Sequence, residues 1–299
     1  MSDLLESEPI WEESVRPLLM ECGEAPLNAP TSLRGHWPKY LMEAGELALY
    51  MFLVCAFDTL LQHPTSPVRH FVASAIVRRA IMGLLVGSTV VAIILTPWGK
   101  QSGGHFNPAV TLTFYRLGKV AFWDTLFYVA AQFAGAAGGV GIAAYVLRDA
   151  PENPAVQYAV TAPGIFGNAG AFAGEVSISF ILMTAMLFAS NREALAQYTP
   201  YVVGALYATF ITFETPLSGM SMNPARTFGS AFRAGYWQAM WIYFIAPTMG
   251  MLAGAEIFLW VRAGIPRYCA KLHYDNDKHC IFQHGRWRRE SNILISKEI

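Results

Sequence analysis

A short sequence that occurs twice constrains this chain more than any other feature. Residues 102–111 and 218–227 share the pattern S-G-x-x-x-N-P-A-x-T, with Asn107 and Asn223 at equivalent positions. Each copy opens a segment of helical character, Asn107 to Leu117 and Asn223 to Phe232, that is too short to cross a membrane. The repetition predicts a duplicated structural unit.

Long apolar segments surround the two copies. Six of them are long enough to cross a bilayer as helices, at about 20 residues per crossing, namely Tyr40 to Leu61, Ala80 to Gly99, Thr125 to Leu147, Asn168 to Ser190, Ala194 to Phe213 and Ala234 to Ala255. The composition agrees, because 54% of the residues are hydrophobic and only 14% are charged. The sequence therefore predicts an all-α membrane protein with six transmembrane helices and two re-entrant half-helices. Its zero net charge argues against a nucleic-acid partner.

An odd number of crossings in each unit puts the second unit into the membrane in the opposite sense. Such inverted repeats occur in channels and transporters. We expect repeat 1 at about 40–147 and repeat 2 at about 168–262, within a membrane domain of residues 40–262. The acidic segment 1–39 lacks the features of a secretory signal and is predicted to be a solvated tail. Residues 263–299 are predicted to form a basic tail.

The distribution of basic residues predicts the orientation. Lys and Arg are more numerous near the membrane ends on the side of the two termini than on the other side. Since cytoplasmic loops carry the excess of positive charge, both termini are expected in the cytoplasm and the protein in the cell membrane. The pair Arg78 and Arg79 runs against this assignment.

The two short helices have a physical role inside a membrane. A helix N-terminus exposes unpaired N–H groups and the positive end of the helix dipole. Pro108 and Pro224 suit the first helical position, and Asn107 and Asn223 can cap the helices. If the helices enter from opposite faces, the two asparagine amides meet near the midplane and can donate hydrogen bonds to one passing oxygen. A neutral solute suits this arrangement and a cation does not.

The paired N-P-A boxes, with Arg226 directly after the second, resemble those of the aquaporin and glycerol-facilitator family, the major intrinsic proteins. The resemblance covers about Tyr40 to Arg262. A third N-P-A-V sequence at Asn153 lacks the S-G lead and is interpreted as a turn between the two halves. The resemblance implies a passive channel that uses no cofactor, with one pore per protomer in a homotetramer, in contact with lipid, water and small neutral solutes.

The resemblance also implies roles for specific positions. The pore centre would comprise Asn107, Pro108, Ala109, Asn223, Pro224 and Ala225. Backbone carbonyls would line the path at Gly103, Gly104, His105, Gly219, Met220 and Ser221. Glu43 and Glu175 match buried acids that brace the pore loops. Proton relay in a secondary transporter is the alternative role for these two acids, and a packing histidine is the favoured interpretation of His105.

The family's constriction has four contributors, which fall here on Gly87, Ile211, Met220 and Arg226. The first two are assigned by counting back from the boxes, so a single gap would shift them. Gly87 is alternatively a helix-packing glycine, since small residues are common where membrane helices approach closely. Strict water channels have a large aromatic residue and a histidine at the first two positions, so Gly87 and Ile211 imply a wider mouth.

At other positions, the resemblance implies water rather than glycerol as the solute. A residue other than Asp follows Arg226, Ala231 is small, and two aromatic residues stand at Tyr243 and Phe244. Water is therefore the expected solute, with a glycerol or small-polyol facilitator as the alternative. A secondary transporter is the alternative from another class, since transporters also use inverted repeats. No catalytic motif appears in the membrane domain, so an enzyme is not expected.

One cluster in the C-terminal tail falls outside this account. Cys269, His273, His279 and Cys280 form C-x3-H-x5-H-C, which supplies enough soft ligands for a tetrahedral zinc site. The spacing is not that of a standard zinc finger. A solvated basic tail near anionic lipid is the preferred interpretation, and zinc is the alternative.

Overall fold

The described part of the chain is built from helices. A computed structural model of the protein describes residues 28–262, 269–273 and 280–282, and within these residues there is no strand. The helices are, in chain order, α1 (Ala29–Gln62), α2 (Pro67–Phe71), α3 (Ala75–Leu95), α4 (Pro97–Ser102), α5 (Pro108–Arg116), α6 (Phe122–Leu147), α7 (Gly167–Ser190), α8 (Glu193–Ala196), α9 (Thr199–Phe213), α10 (Thr215–Ser218), α11 (Pro224–Ala234) and α12 (Met240–Val261). The predicted all-α membrane fold is confirmed.

The two halves of the chain repeat the same order of helices. In the first half α1, α3 and α6 are long and α4 leads into the short α5; in the second half α7, α9 and α12 correspond to them and α10 leads into α11. Helix α1 packs on α6 as α7 packs on α12, while α11 contacts α6 and α5 contacts α12. Each short helix therefore rests on a long helix of the other half, and the halves interlock.

Five of the described helices, α1, α3, α6, α7 and α12, are long and apolar enough to cross a membrane. The sixth predicted crossing, Ala194 to Phe213, differs from the structure. Helix α9 begins only at Thr199 and has 15 residues, a length of about 22 Å at 1.5 Å per residue. Pro200 explains the start, because a proline lacks the N–H of a helix interior and fits the first turn. Residues 193–196 form the separate helix α8.

Helix α1 begins at Ala29, eleven residues before the predicted start at Tyr40. One oxygen of Asp124, in the first turn of α6, explains the extension. It accepts hydrogen bonds from Ser32 Oγ at 2.5 Å and Tyr40 Oη at 2.6 Å, and His36 Nδ1 lies 2.8 Å from it. Ser32 is fully buried. Residues 29–39 are therefore part of the packed helix and are not a solvated tail as predicted.

We predict that Asp124→Ala loosens this end of α1. The substitution removes the carboxylate to which both hydroxyls donate, so Ser32 and Tyr40 keep only the bonds between them. A buried group that loses its partner costs about 1–3 kcal/mol. The midpoint of thermal unfolding in detergent should fall measurably. Asp149→Ala is the control, since Asp149 is exposed in the turn after α6. An equal fall for both variants would contradict the anchoring role.

Candidate functional site

The half-helices α5 and α11 begin with the same capping arrangement. Asn107 Oδ1 accepts a hydrogen bond from Ala109 N at 2.9 Å, and Asn223 Oδ1 accepts from Ala225 N at 3.0 Å and Arg226 N at 3.2 Å. A proline follows each asparagine, where its missing N–H costs nothing. Each amide is thereby fixed with its oxygen on its own helix and its nitrogen pointing away from it.

The amide nitrogens cross between the two halves of the chain. Asn107 Nδ2 donates to the carbonyl of Met222 at 2.8 Å, and Asn223 Nδ2 donates to the carbonyl of Phe106 at 2.8 Å. The two N-P-A boxes therefore meet, as the repeat predicts. An asparagine amide carries two N–H donors, so each of these bonds uses only one of them.

Glu43 and Glu175 hold the loops that lead to the boxes. Glu43 accepts from the backbone N–H groups of residues 105 and 106 at 3.0 and 2.7 Å, and Glu175 from those of residues 221 and 222 at 2.7 Å each. Both carboxylates are fully buried. Gln132 also donates to Glu43, and Ser218 Oγ to Glu175. The acids thus satisfy backbone donors that lipid could not satisfy.

This bracing determines where the loop carbonyls point. In a planar trans peptide unit the N–H and the preceding C=O point in opposite directions. Each predicted carbonyl shares its peptide unit with the N–H of the next residue. These N–H groups, of residues 104–106 and 220–222, all donate to a side chain that holds the loop, either one of the two glutamates or the hydroxyl of Ser102 or Ser218. The carbonyls that face away from these side chains are those of Gly103, Gly104, His105, Gly219, Met220 and Ser221. They are the six predicted to line the path.

Both loops contain residues in the left-handed region. Phe106, Met220 and Met222 have φ values of 30°, 53° and 52°, although they are not glycines. Such conformations cost of order 1–3 kcal/mol each and persist only where the surroundings fix them. Here the carboxylates of Glu43 and Glu175 fix them, by the bonds to the same segments.

Arg226 lies beside a cavity of about 260 Å³, named here the Arg226 cavity. Its wall includes Arg226, Ile211 and Met220, three of the four residues predicted at the constriction. The guanidinium donates from Nη1 to the carbonyl of Ala159 at 2.7 Å, and the residue is 7% exposed. The arginine is therefore held in place by the connection between the two halves.

Gly87 is the predicted constriction residue that the structure places elsewhere. Val86, and not Gly87, is on the wall of the Arg226 cavity. A Cβ atom on Gly87 would lie 2.4 Å from the carbonyl oxygen of Gly204, so the glycine permits α3 and α9 to touch. The assignment of Gly87 by counting from the box is corrected, and the packing alternative fits.

Several residues of the Arg226 cavity are absent from the predicted site. Asp58 follows Tyr50 and Val54 at four-residue intervals on α1, so all three share one face. Arg79 donates from Nε to the carbonyl of Thr212 at 3.1 Å. The four-residue spacing and an acid inside an apolar helix are the features of the sequence that indicate Asp58.

The turn around the third N-P-A-V sequence also contributes to the cavity. Asn153 Oδ1 accepts from Ala155 N at 3.0 Å, so Asn153 forms a local turn as predicted. The wall of the Arg226 cavity includes residues 154–157, 159 and 160. The connection is therefore part of the site, although its sequence predicts only a turn.

The predicted zinc cluster is only partly described. The Sγ atoms of Cys269 and Cys280 lie 3.6 Å apart, while His279 lies outside the described residues. Among the residues that the structure describes, no group of three His, Cys, Asp or Glu side chains is close enough to hold a metal ion. His273 is described but joins no such group, and nothing further supports zinc here.

We predict that Glu175→Gln destabilises the protein strongly. Glutamine offers one acceptor oxygen in place of two and brings an NH₂ group toward a backbone N–H, so at least one buried donor loses its partner, at about 1–3 kcal/mol. The midpoint of thermal unfolding should fall. Glu256→Gln is the control, because Glu256 is half exposed and pairs with Arg116 at 2.7 Å, an interaction worth about 1 kcal/mol or less. Equal falls would contradict the bracing role.

Gly87→Val tests the corrected position of Gly87. The valine would force α3 and α9 apart, and overpacking of this kind costs about 1–3 kcal/mol, so the unfolding midpoint should fall. Gly138→Val is the control, since a Cβ on Gly138 meets nothing within 4 Å. A constriction role would instead leave the unfolding midpoint unchanged and slow the passage of solutes.

Comparison with known proteins gives consistent results. Residues 34–258 match the sequence model of the family described as Major intrinsic protein. Nodulin-26 of Glycine max is 32% identical over 203 residues, which cover 68% of this chain and 71% of nodulin-26. Aquaporin NIP2-3 of Zea mays is 33% identical over 178 residues, which cover 60% of this chain and 58% of that protein.

A solved structure shows the same fold. The X-ray structure of the aquaglyceroporin from Plasmodium falciparum aligns with a TM-score of 0.62 and 22% sequence identity, covering 74% of this chain and 94% of that chain. The family match spans both N-P-A boxes, both bracing acids and Arg226. The chain belongs to the major intrinsic protein family, a family of membrane channels.

Proposed function

We propose that the protein is a passive transmembrane channel for water and small uncharged solutes that excludes protons and ions. The crossed bonds of Asn107 and Asn223 carry this proposal, because they fix two amides side by side and use only one N–H of each. A passing oxygen can accept from these donors. Two relatives are named aquaporin and aquaglyceroporin, which supports this solute class.

Charge exclusion follows from the same geometry. The N-termini of α5 and α11 meet at the boxes, so their dipoles place partial positive charge at the midplane. The guanidinium of Arg226 adds a full charge in a largely buried position. A cation therefore loses its hydration where the protein offers positive charge, whereas a neutral solute exchanges water for carbonyl and amide partners.

A second candidate, a glycerol or small-polyol facilitator, has one observation in its favour. The wall of the Arg226 cavity includes Ile211 and Val86, and neither is a large aromatic residue or a histidine. The cavity also contains Asp58 and Arg79, so a solute with several hydroxyl groups finds both acceptors and donors there. Water remains the solute that we propose first.

The transporter alternative requires carboxylates that exchange protons or ions with the path. Glu43 and Glu175 accept bonds from loop N–H groups and do not have this freedom. The structure thus favours a bracing role for both.

We also propose a homotetramer in the cell membrane with both termini in the cytoplasm, which rests on the family and on the distribution of basic residues.

Osmotic shrinkage of proteoliposomes tests the proposed channel. Shrinkage should be faster than in empty vesicles, depend weakly on temperature and ignore ion gradients. Isotonic swelling with glycerol, urea and a larger polyol then separates water selectivity from a wider path. The proposal fails if vesicles with the parent protein, and vesicles with every variant that keeps Asn107, Asn223 and Arg226, shrink no faster than empty vesicles. Dependence on an ion gradient would favour the transporter.

Arg226→Val tests the source of charge exclusion. Removing one fixed positive charge from a poorly screened site should leave water flow largely intact while raising the leak of protons or small cations. Vesicles loaded with a pH-sensitive dye measure the leak. Arg233→Val, at the far end of α11, is the control. An unchanged leak would mean that the helix N-termini exclude charge alone.

A further inference from the structure

The C-terminal segment lies on the pore loop of the first repeat. Leu272 N donates to the carbonyl of Gly103 at 3.0 Å. His105 Nε2 lies 2.8 Å from the carbonyl of Ala270, which can only accept, so the imidazole donates there. Residues 269–272 are all buried. The predicted solvated tail is therefore corrected for this segment, which is docked against the membrane domain.

A second piece of the tail closes over the same place. The ring of Phe282 stacks on that of His105, with centroids 5.5 Å apart and planes 17° apart, and the ring of Phe114 also stacks on His105, with centroids 5.0 Å apart. A Cβ on Gly103 would lie 2.9 Å from Phe282, so ring and loop are in contact. Phe282 is 1% exposed. This aromatic stack fills the space next to the loop.

These contacts occupy the end of the proposed path. The end formed by Gly103, Gly104 and His105 is named here the Gly103 mouth. The carbonyl of Gly103 is one of the acceptors that would guide a solute, and a backbone N–H of the tail now bonds to it. A solute leaving at this mouth would have to displace Leu272 and Phe282. In the described residues, Leu272 and Phe282 are both in contact with the mouth at Gly103.

Two cysteines connect the pieces of this cover. Cys269 belongs to the first piece and Cys280 to the second, and their Sγ atoms are 3.6 Å apart. A disulfide needs about 2.05 Å between sulfurs, so the two Sγ atoms must approach each other by about 1.5 Å to form one. Both residues are buried, and Lys39 of α1 lies close to Cys280. Oxidation would join two segments that already touch.

We propose that residues 269–273 and 280–282 form a plug that closes the Gly103 mouth, and that Cys269 and Cys280 are an oxidation site that locks it. The inference rests on the proposed channel function. With a hydroperoxide as oxidant, the two thiols lose two electrons and two protons, one S–S bond forms, the O–O bond of the peroxide breaks, and for hydrogen peroxide two waters leave. The disulfide restricts the undocked segment and so favours the docked plug.

The chemistry of the lock is tested first, on the full-length protein. Burial raises the pKa of the Cys269 thiol, so oxidation with hydrogen peroxide is carried out at mildly alkaline pH. Trypsin cleaves after Arg267, Lys271, Lys278 and Arg286. The lock predicts one linked pair, peptides 268–271 and 279–286, which dithiothreitol separates. Failure to find this pair, or equal linking to Cys22 or Cys55, would overturn the oxidation site.

Docking of the plug is tested by thiol accessibility. In the folded protein Cys269 and Cys280 should resist a membrane-impermeant maleimide, and Phe282→Ala should increase their labelling severalfold by removing the aromatic stack. Phe71→Ala is the control, because Phe71 is 89% exposed. Labelling of the parent protein as fast as that of the denatured chain would overturn the docked plug, whatever the channel does.

Flux measurements then connect the plug to the pore. Phe282→Ala should raise water flux severalfold over the parent, and Phe71→Ala should not. Peroxide should lower parental flux severalfold and reversibly, whereas Cys269→Ser should not respond and Cys22→Ser should respond like the parent. If Phe282→Ala gains labelling but no flux while the parent conducts, the plug does not close the pore. If no variant conducts although docking is found, the proposed channel function fails.

Discussion

Two buried carboxylates that bind backbone N–H groups make the rest of the site possible. An irregular loop at membrane depth leaves donors that lipid cannot satisfy, and Glu43 and Glu175 satisfy them at 2.7–3.0 Å. The same bonds turn the loop carbonyls the other way, hold left-handed residues in place and deliver each half-helix to the centre. The same peptide units thus bond to the acids through their N–H groups and line the proposed path through their carbonyls.

The two halves solve this problem with different side chains. In the second half, Ser218 donates directly to Glu175. In the first half, the equivalent Ser102 donates to a further acid, Glu46, at 2.9 Å. The additional side-chain donor to Glu43 is there Gln132. The tyrosines agree more closely, since Tyr128 and Tyr243 donate to the carbonyls of Ser102 and Ser218. The geometry of the loops is therefore retained while the acceptors around them have diverged.

The sequence predicts the features that repeat and misses those that depend on single contacts. The boxes, five of the six crossings and the two acids follow from duplication and hydropathy. Gly87 could not be separated from its neighbour Val86, because one residue of offset decides which side of α3 faces the cavity. The start of α1 depends on Asp124, far away in the chain. The docked tail depends on a stack between Phe282 and His105, two residues far apart in the chain, which no local sequence pattern predicts.

The bond from Arg226 to the carbonyl of Ala159 joins a residue inside the second unit to the connection between units. A duplicated gene must acquire such a connection, and its length and conformation are then open to variation. Residues 157–159 all have positive φ, so this stretch is held in an unusual backbone path. A change in this connection would therefore move the arginine without altering either of the two repeated units.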